Sequence, residues 1–461
     1  MTGGTNAVPD GGHDQPRYRE VERAGWMSSA RRLSSVRLPL RALTGLALAL
    51  STMALVSCMG AMGQSATGQP ATAGSATAGH PAASGTASSS ATGVSSPAVP
   101  KLTPAQLAGQ RVIYSYTGLT PPARLLRWIR HGLVGGVIFF GGNISSRAQI
   151  AGVISGLDRA NASPDNPLRA LPLLLMTDQE GGLVRRLPGA PVLSEKQIGE
   201  SAHPAAAATR AGTGAGKNLA GVGMNVNLAP VLDVFRKPGD FDDQFGRSYS
   251  MNPHVVSRLG ANFIAAQQAT GVAATAKHFP GLGAASASQD TDAGPVTLNL
   301  SRHTLRTHDE FPYRAAIAAG VRLVMASWAT YPALAPTPAG LSPAIIQGEL
   351  RQRLGFRGVT ITDALEAGAL NPFGTIGHRA TLAARAGMDL ILCSGQTAGE
   401  GRRARDALAN AFTTGALNRA GFHRALERIF ALRSSLASPG SSAGSGRLAT
   451  NSSGQAARPA A

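Results

Sequence analysis

The chain has 461 residues, of which 43% are hydrophobic and 5% aromatic, and 43 Lys and Arg against 25 Asp and Glu leave a net charge of +18. That length accommodates one large barrel with tails, or two smaller domains. The excess charge is dispersed, without basic blocks interleaved with aromatics, which argues against a nucleic-acid partner and for a solvated basic surface open to anionic envelope polymers.

Arg31, Arg32, Arg37 and Arg41 precede an apolar run from Ala42 to Val56, which ends in Leu55-Val56-Ser57-Cys58. A basic stretch, a short apolar stretch and small residues at the cut describe an export signal, and the run is too short for a comfortable membrane span. Leu-Val-Ser-Cys resembles the lipobox of bacterial lipoproteins, which implies lipidation of Cys58 and a membrane-anchored, extracytoplasmic protein. Residues 1–57 then form a cytoplasmic extension and signal peptide. Residues 59–100 are almost entirely Ala, Ser, Gly, Thr and Pro. They read as a flexible tether, because such a segment cannot bury enough apolar surface to offset its ordering entropy. Residues 437–461 have the same character and are expected to be disordered. With Cys58 consumed, Cys393 has no disulfide partner, and its apolar run makes it a buried structural thiol.

Between the tails, over residues 101–436, eight short apolar runs predict buried strands: Arg111–Tyr116, Gly136–Phe140, Leu173–Thr177, Asn225–Leu228, Val272–Ala276, Leu323–Ser327, Val359–Thr362 and Leu390–Cys393. Helical patterns separate them. Ser145 or Ser146 caps a helix to Leu157, and Ser194 precedes an Ala-rich stretch to Leu219. Asn252-Pro253 opens a helix to about Gln268, and Ser342-Pro343 opens another ending near Leu354. His378–Ala386, Gly401–Phe412 and Asn418–Leu436 complete the set. Strands alternating with helices predict an α/β fold, a parallel (β/α)8 TIM-type barrel, as a single catalytic domain. The runner-up is an open doubly wound sheet, but no glycine-rich dinucleotide fingerprint follows any strand.

In such a barrel, function gathers at the C-terminal ends of the strands. Asp178 follows the third run, Lys277-His278 the fifth, Trp328 the sixth and Asp363 the seventh. Each also has a bland reading: Asp363 as a helix cap, Lys277-His278 as an internal ion-pair network, Arg247 as a partner of Asp242 or Asp243, and Trp328 as packing. Together they offer acceptors for hydroxyls, cationic donors and an apolar surface, the set that hexose recognition needs. Lys277 at a strand end also allows a Schiff-base reading. No Cys/His cluster or acidic metal motif is present, so no metal or organic cofactor is expected.

Asp178-Gln179-Glu180-Gly181-Gly182, Asn227-Leu228-Ala229-Pro230-Val231-Leu232-Asp233, Lys277-His278-Phe279-Pro280-Gly281-Leu282-Gly283 and Gly358-Val359-Thr360-Ile361-Thr362-Asp363 occur in that order. Over residues 101–400 the chain resembles glycoside hydrolase family 3, specifically the single-domain bacterial exo-β-N-acetylglucosaminidases. The resemblance implies a retaining hydrolysis of terminal β-linked N-acetylglucosamine from cell-wall fragments or related glycans. It implies Asp363 as nucleophile and Asp178, Arg186, Arg247, Lys277 and His278 as the grip on the non-reducing sugar. The implied partners are that glycan and, through the lipid, a membrane, for a monomer that binds no nucleic acid. Two departures stand out. Leu183 replaces the Arg that often follows the Gly-Gly pair. The loop after strand five also lacks the family's acid/base His, and gapless counting puts Asp290 there, whereas a two-residue insertion puts Asp292 there. Three alternatives follow: another family 3 β-glycosidase, a phosphorylase, or a glycan-binding lipoprotein without activity.

Overall fold

The computed structural model describes residues 101–436. Eight parallel strands run in chain order: β1 (Val112–Tyr114), β2 (Gly136–Ile138), β3 (Leu174–Thr177), β4 (Val226–Asn227), β5 (Ala273–Phe279), β6 (Leu323–Ala326), β7 (Val359–Thr362) and β8 (Ile391–Leu392). Each pairs with the next, β8 pairs with β1 in the register Val112↔Ile391, and Ile361 bridges Leu390. The sheet therefore closes on itself, which rules out the open doubly wound alternative. A helix follows every strand: α1 (Ala123–Arg130), α2 (Arg147–Asn161), α3 (Pro204–Ala220), α4 (Pro253–Gln268), α5 (Phe311–Ala318), α6 (Ala344–Arg353), α7 (Ile376–Ala386) and α8 (Ala398–Thr413).

The strand alternation builds two apolar layers. Ile113, Ile138, Leu174, Met176, Val226 and Leu323 point into the barrel. Val112, Tyr114, Val137, Phe139, Leu173 and Leu175 point outward against the helices. The last helix, Arg419–Ser435, closes the bottom: Ile429 and Leu432 join the inner layer, while Arg433 donates to Pro172 O at 2.7 Å and Leu171 O at 2.9 Å. A chain plugged at that end leaves the opposite rim as the place for a cleft.

The eight runs are the eight strands, with one shift that matters. The fifth extends through Lys277, His278 and Phe279, so these residues lie within β5 and not after it. Helix starts follow local chemistry. Ser146 accepts from Gln149 N at 3.1 Å, and Asn252 caps α4 through His254 N at 2.9 Å. The Ala-rich stretch predicted as continuous from Ser194 breaks into Glu195–Gly199 and α3, because Pro204 cannot continue a helix and instead opens the next one. Helices α1 and α5 lie outside the stretches read as helical from the sequence, although α1 is amphipathic, with Leu125 and Ile129 buried on one face. α6 is wound more widely than an α-helix, as a π-helix. Cys393 is free and fully buried. The signal, Cys58, the tether and the C-terminal tail lie outside the described residues. Among the described residues, no helix is long and apolar enough to cross a membrane.

Candidate active site

The rim chemistry begins where β3 ends. The backbone stays extended past Thr177, so Asp178 and Glu180, two apart, face the same side. Asn227 at the tip of β4 fixes that segment: its side-chain oxygen accepts from Gln179 N at 2.9 Å and its amide donates to Gln179 O at 3.1 Å. Gln179 in turn holds the following loop, donating to Leu187 O at 2.8 Å and Ala190 O at 2.9 Å.

Both acids converge on one ammonium. Lys277 Nζ lies 2.8 Å from Asp178 Oδ1 and 2.7 Å from Glu180 Oε1. The Arg247 guanidinium grips Glu180 with two N–H groups, at 2.9 and 3.0 Å, and Asp242 with a third at 3.0 Å. Asp243 turns away to Lys196 at 2.7 Å. Burial alone would favour the neutral forms of these groups, but pairing outweighs it. Glu180 is held down to about 2 by Arg247 and Lys277, and Asp178 and Glu180 raise the Lys277 ammonium above its usual range. A lysine kept protonated is a poor nucleophile, which disfavours the Schiff-base reading of Lys277. Arg186 enters from the loop after β3, its backbone N–H donating to Asp178 O at 3.3 Å. Burial and the neighbouring Arg247 lower its guanidinium to about 10.

Below this network sits a second one. His278 Nδ1 lies 2.7 Å from Asp233 Oδ2, and Asp233 also accepts from Leu282 N at 2.5 Å and His278 N at 3.3 Å. Burial pushes His278 down to about 4, against the opposing pull of Asp363. The imidazole is therefore neutral at neutral pH and donates through Nδ1. Burial raises Asp233 to about 6, and burial with Asp233 alongside raises Asp242 to about 7. Asp233, Asp242 and His278 are close enough and of the right types to ligate a metal. Their donor set does not suit one, since N–H groups already occupy Asp233 and Arg247 already supplies the cation at Asp242. The arrangement holds a proton between carboxyls.

The far side of the mouth differs. Asp363 follows β7 half-buried, with Oδ1 accepting from Ala364 N at 2.7 Å. Trp328 is 1% exposed and its Nε1 donates to Ala364 O at 2.8 Å. Trp328 therefore steadies the Asp363 loop from behind, and it presents no face to a sugar. Burial, then Asp363, Asp290 and Glu366 in that order, raise the Asp292 carboxyl to about 8. Asp292 is nonetheless open to solvent. Water therefore reaches a carboxyl that other carboxylates crowd. Water moderates such a shift, and a seated ligand that expels water strengthens it. Glu366 and Glu400 form a further carboxyl pair. Burial and Glu400 raise Glu366 to about 8, and Ser394 Oγ donates to Glu366 Oε1 at 2.8 Å. Gly395 N donates to Glu400 Oε2 at 2.8 Å.

The profile of the glycosyl hydrolase family 3 N-terminal domain matches residues 105–432. The chain belongs to glycoside hydrolase family 3. It is 46% identical over 345 residues to a protein of Arthroderma benhamiae described as an uncharacterized secreted glycosyl hydrolase, covering 74% of this chain and 96% of that one. It is 32% identical over 272 residues to a β-hexosaminidase of Stenotrophomonas maltophilia, covering 58% of this chain and 77% of the relative. The fold superposes on a family 3 β-N-acetylglucosaminidase from Paenibacillus with a TM-score of 0.68 at 36% identity, over 77% of this chain and 65% of that one. This family 3 chain is a glycoside hydrolase with the barrel described above.

The family 3 barrel brings Asp178, Arg247, Lys277 and His278 into linked networks, with Arg186 beside them and with Asp292 and Asp363 as electrostatic neighbours. Asp290 lies in the same turn as Asp292 but points its Oδ1 at the Asp292 backbone N–H, 2.8 Å away. Sequence reasoning named Asp242 only as a partner for Arg247, a pairing the structure contains, and gave no separate role to Glu180 or Asp233. Glu180 had a signal in its two-residue spacing from Asp178. Glu366 and Glu400 had none, since one comes from the loop after β7 and the other from the first turn of α8.

Proposed function

We propose that this glycoside hydrolase is a retaining exo-β-N-acetylglucosaminidase in which Asp363 is the nucleophile and Asp292 the general acid/base. The observation that carries the reading is the docking of the Asp292 turn onto the loop that follows Asp363, with Gly368 N donating to Asp292 O and Ala369 N to Thr291 O, beside neighbouring carboxylates that raise the Asp292 carboxyl. Retaining hydrolysis needs that division of labour between two carboxyls. The Asp363 carboxylate attacks the anomeric carbon while Asp292 passes its proton to the departing oxygen. Asp292, now ionised, takes a proton from water. That water displaces Asp363 and releases the sugar with its β configuration.

Asp178, Arg186, Lys277 and His278 grip the terminal sugar in this reading, and Arg247 acts with them by orienting Glu180. A pre-paired set of donors and acceptors costs little reorganisation when the sugar binds, and that fixes the anomeric carbon over Asp363. The names of the Stenotrophomonas and Paenibacillus relatives support a 2-acetamido sugar. Cell-wall fragments fit an exported enzyme, and the description of the Arthroderma relative as secreted supports export. Anchoring through lipidated Cys58, with residues 59–100 as tether and 101–436 as a monomeric catalytic domain, completes the proposal.

The test is hydrolysis of a panel of aryl β-glycosides, followed by proton NMR of the first-formed sugar. Release of β-N-acetylglucosamine ahead of mutarotation is expected. Initial release of the α anomer, or faster cleavage of β-glucosides, contradicts it.

A further inference from the structure

The turn that carries Asp292 is built by one side-chain oxygen and docked by backbone hydrogen bonds. Asp290 Oδ1 accepts from Asp292 N at 2.8 Å, and Asp290 O accepts from Ala293 N at 3.2 Å and Gly294 N at 3.1 Å. Such an aspartate-initiated turn needs an acceptor oxygen at Oδ1, with no requirement for charge. The turn then docks on the loop that follows Asp363. Gly368 N donates to Asp292 O and Ala369 N to Thr291 O, both at 2.9 Å, and Thr291 is 4% exposed. Gly368 is a steric requirement of that contact. A Cβ there would stand 2.5 Å from Ala293 O and 2.8 Å from Asp292 O, closer than real side chains approach carbonyl oxygens.

We propose that Asp290 and Gly368 are positioning residues, which lock the turn bearing Asp292 onto the Asp363 loop so that both carboxyls move as one unit. This rests on reading Asp292 as the general acid. Asp290 acts through the Asp292 backbone and never on substrate. Gly368 acts by leaving room for the two backbone hydrogen bonds.

The test compares kcat/KM for phenyl and 2,4-dinitrophenyl β-N-acetylglucosaminides at mildly acidic pH, with melting temperatures to confirm folding. A poor leaving group such as phenolate needs protonation, and a dinitrophenolate does not. Asp290→Ala and Gly368→Ala should each lower turnover of the phenyl substrate at least about tenfold and leave the dinitrophenyl substrate within about threefold. Asp290→Asn, which keeps an acceptor Oδ1, should retain activity on both. If Asp290→Asn loses as much as Asp290→Ala, the carboxyl itself acts and the positioning role is overturned. It is overturned equally if Asp290→Ala and Gly368→Ala depress both substrates alike, or neither. The underlying acid assignment fails separately, through Asp292→Ala showing no dependence on the leaving group. Should Gly368→Ala not fold, the two Asp290 variants decide the matter.

Discussion

The two sides of the barrel mouth handle charge in opposite ways. On the side built by β3, the β4 loop and β5, three acids share two cations: Asp178 and Glu180 share Lys277, and Glu180 and Asp242 share Arg247, whereas Asp233 pairs with the neutral His278. On the side built by the loops after β5 and β7 and the start of α8, Asp292, Glu366 and Glu400 make no ion pair with Lys or Arg among the described residues. Burial pushes all three upward, and other carboxylates add to it at Asp292 and Glu366. The paired side is cross-linked by ion pairs, suited to holding a neutral sugar by its hydroxyls. The unpaired side keeps protons on carboxyls at neutral pH, as general acid catalysis requires.

The strongest way to break this contrast is on the unpaired side. Asp363→Asn keeps size and hydrogen bonding but cannot form a glycosyl ester. It should fold with an unchanged melting temperature, still bind N-acetylglucosamine by calorimetry, and lose kcat by roughly three orders of magnitude or more. Near-normal turnover would place the nucleophile elsewhere.

On the paired side the expected loss is first of stability. Lys277→Met strands Asp178 and Glu180 against each other, and removing one member of a buried ion pair costs about 3–5 kcal/mol. A urea midpoint close to wild type would mean that the two acids find protons or water without Lys277.

The pH profile sharpens the comparison. Asp292 serves as an acid only while protonated, and its carboxyl sits near about 8. kcat/KM for the phenyl glycoside should fall above about that pH, and the dinitrophenyl glycoside should show no such limb. An identical alkaline limb for both substrates would assign it to sugar binding.

A smaller effect reaches the whole fold. Asp233 titrates near about 6, Asp242 and Asp309 near about 7, and Glu366 near about 8, all above ordinary carboxyls. Between the ordinary range and these values the folded protein holds protons that the unfolded chain has released. The stability these groups confer is thus full in acid below the ordinary range and declines as pH rises through 6 to 8. Melting temperature should fall over that window, and Asp242→Asn should flatten part of the slope. A flat wild-type profile would contradict the raised values.

The sequence made the barrel legible because each strand is a short buried run of β-forming residues, and a closed parallel barrel repeats that signal. Asp363 was readable by its place directly after Val359–Thr362. The helices without a side-chain cap were harder, as α1 and α5 show. Proline decided the break before α3 against the pull of alanine composition. The hardest problem was which carboxyl in the Asp290–Asp292 turn neighbours Asp363. The surrounding small residues carry no register signal, and the distinction arises from one side-chain-to-backbone hydrogen bond and a glycine on a different loop. Long-range pairs such as Glu366 with Glu400 depend on closure of the barrel and leave no local pattern.

The most direct measurement is covalent. Incubation with 5-fluoro-N-acetylglucosaminyl fluoride should inactivate the enzyme in step with addition of one sugar. Trypsin should deliver that mass on the peptide running from Gly358 to Arg379. Fragmentation should then place it on Asp363, with no label on the Asp363→Asn protein. A label on Glu366, Asp178 or Asp233, or inactivation of the Asn variant with equal labelling, would contradict Asp363 as the nucleophile.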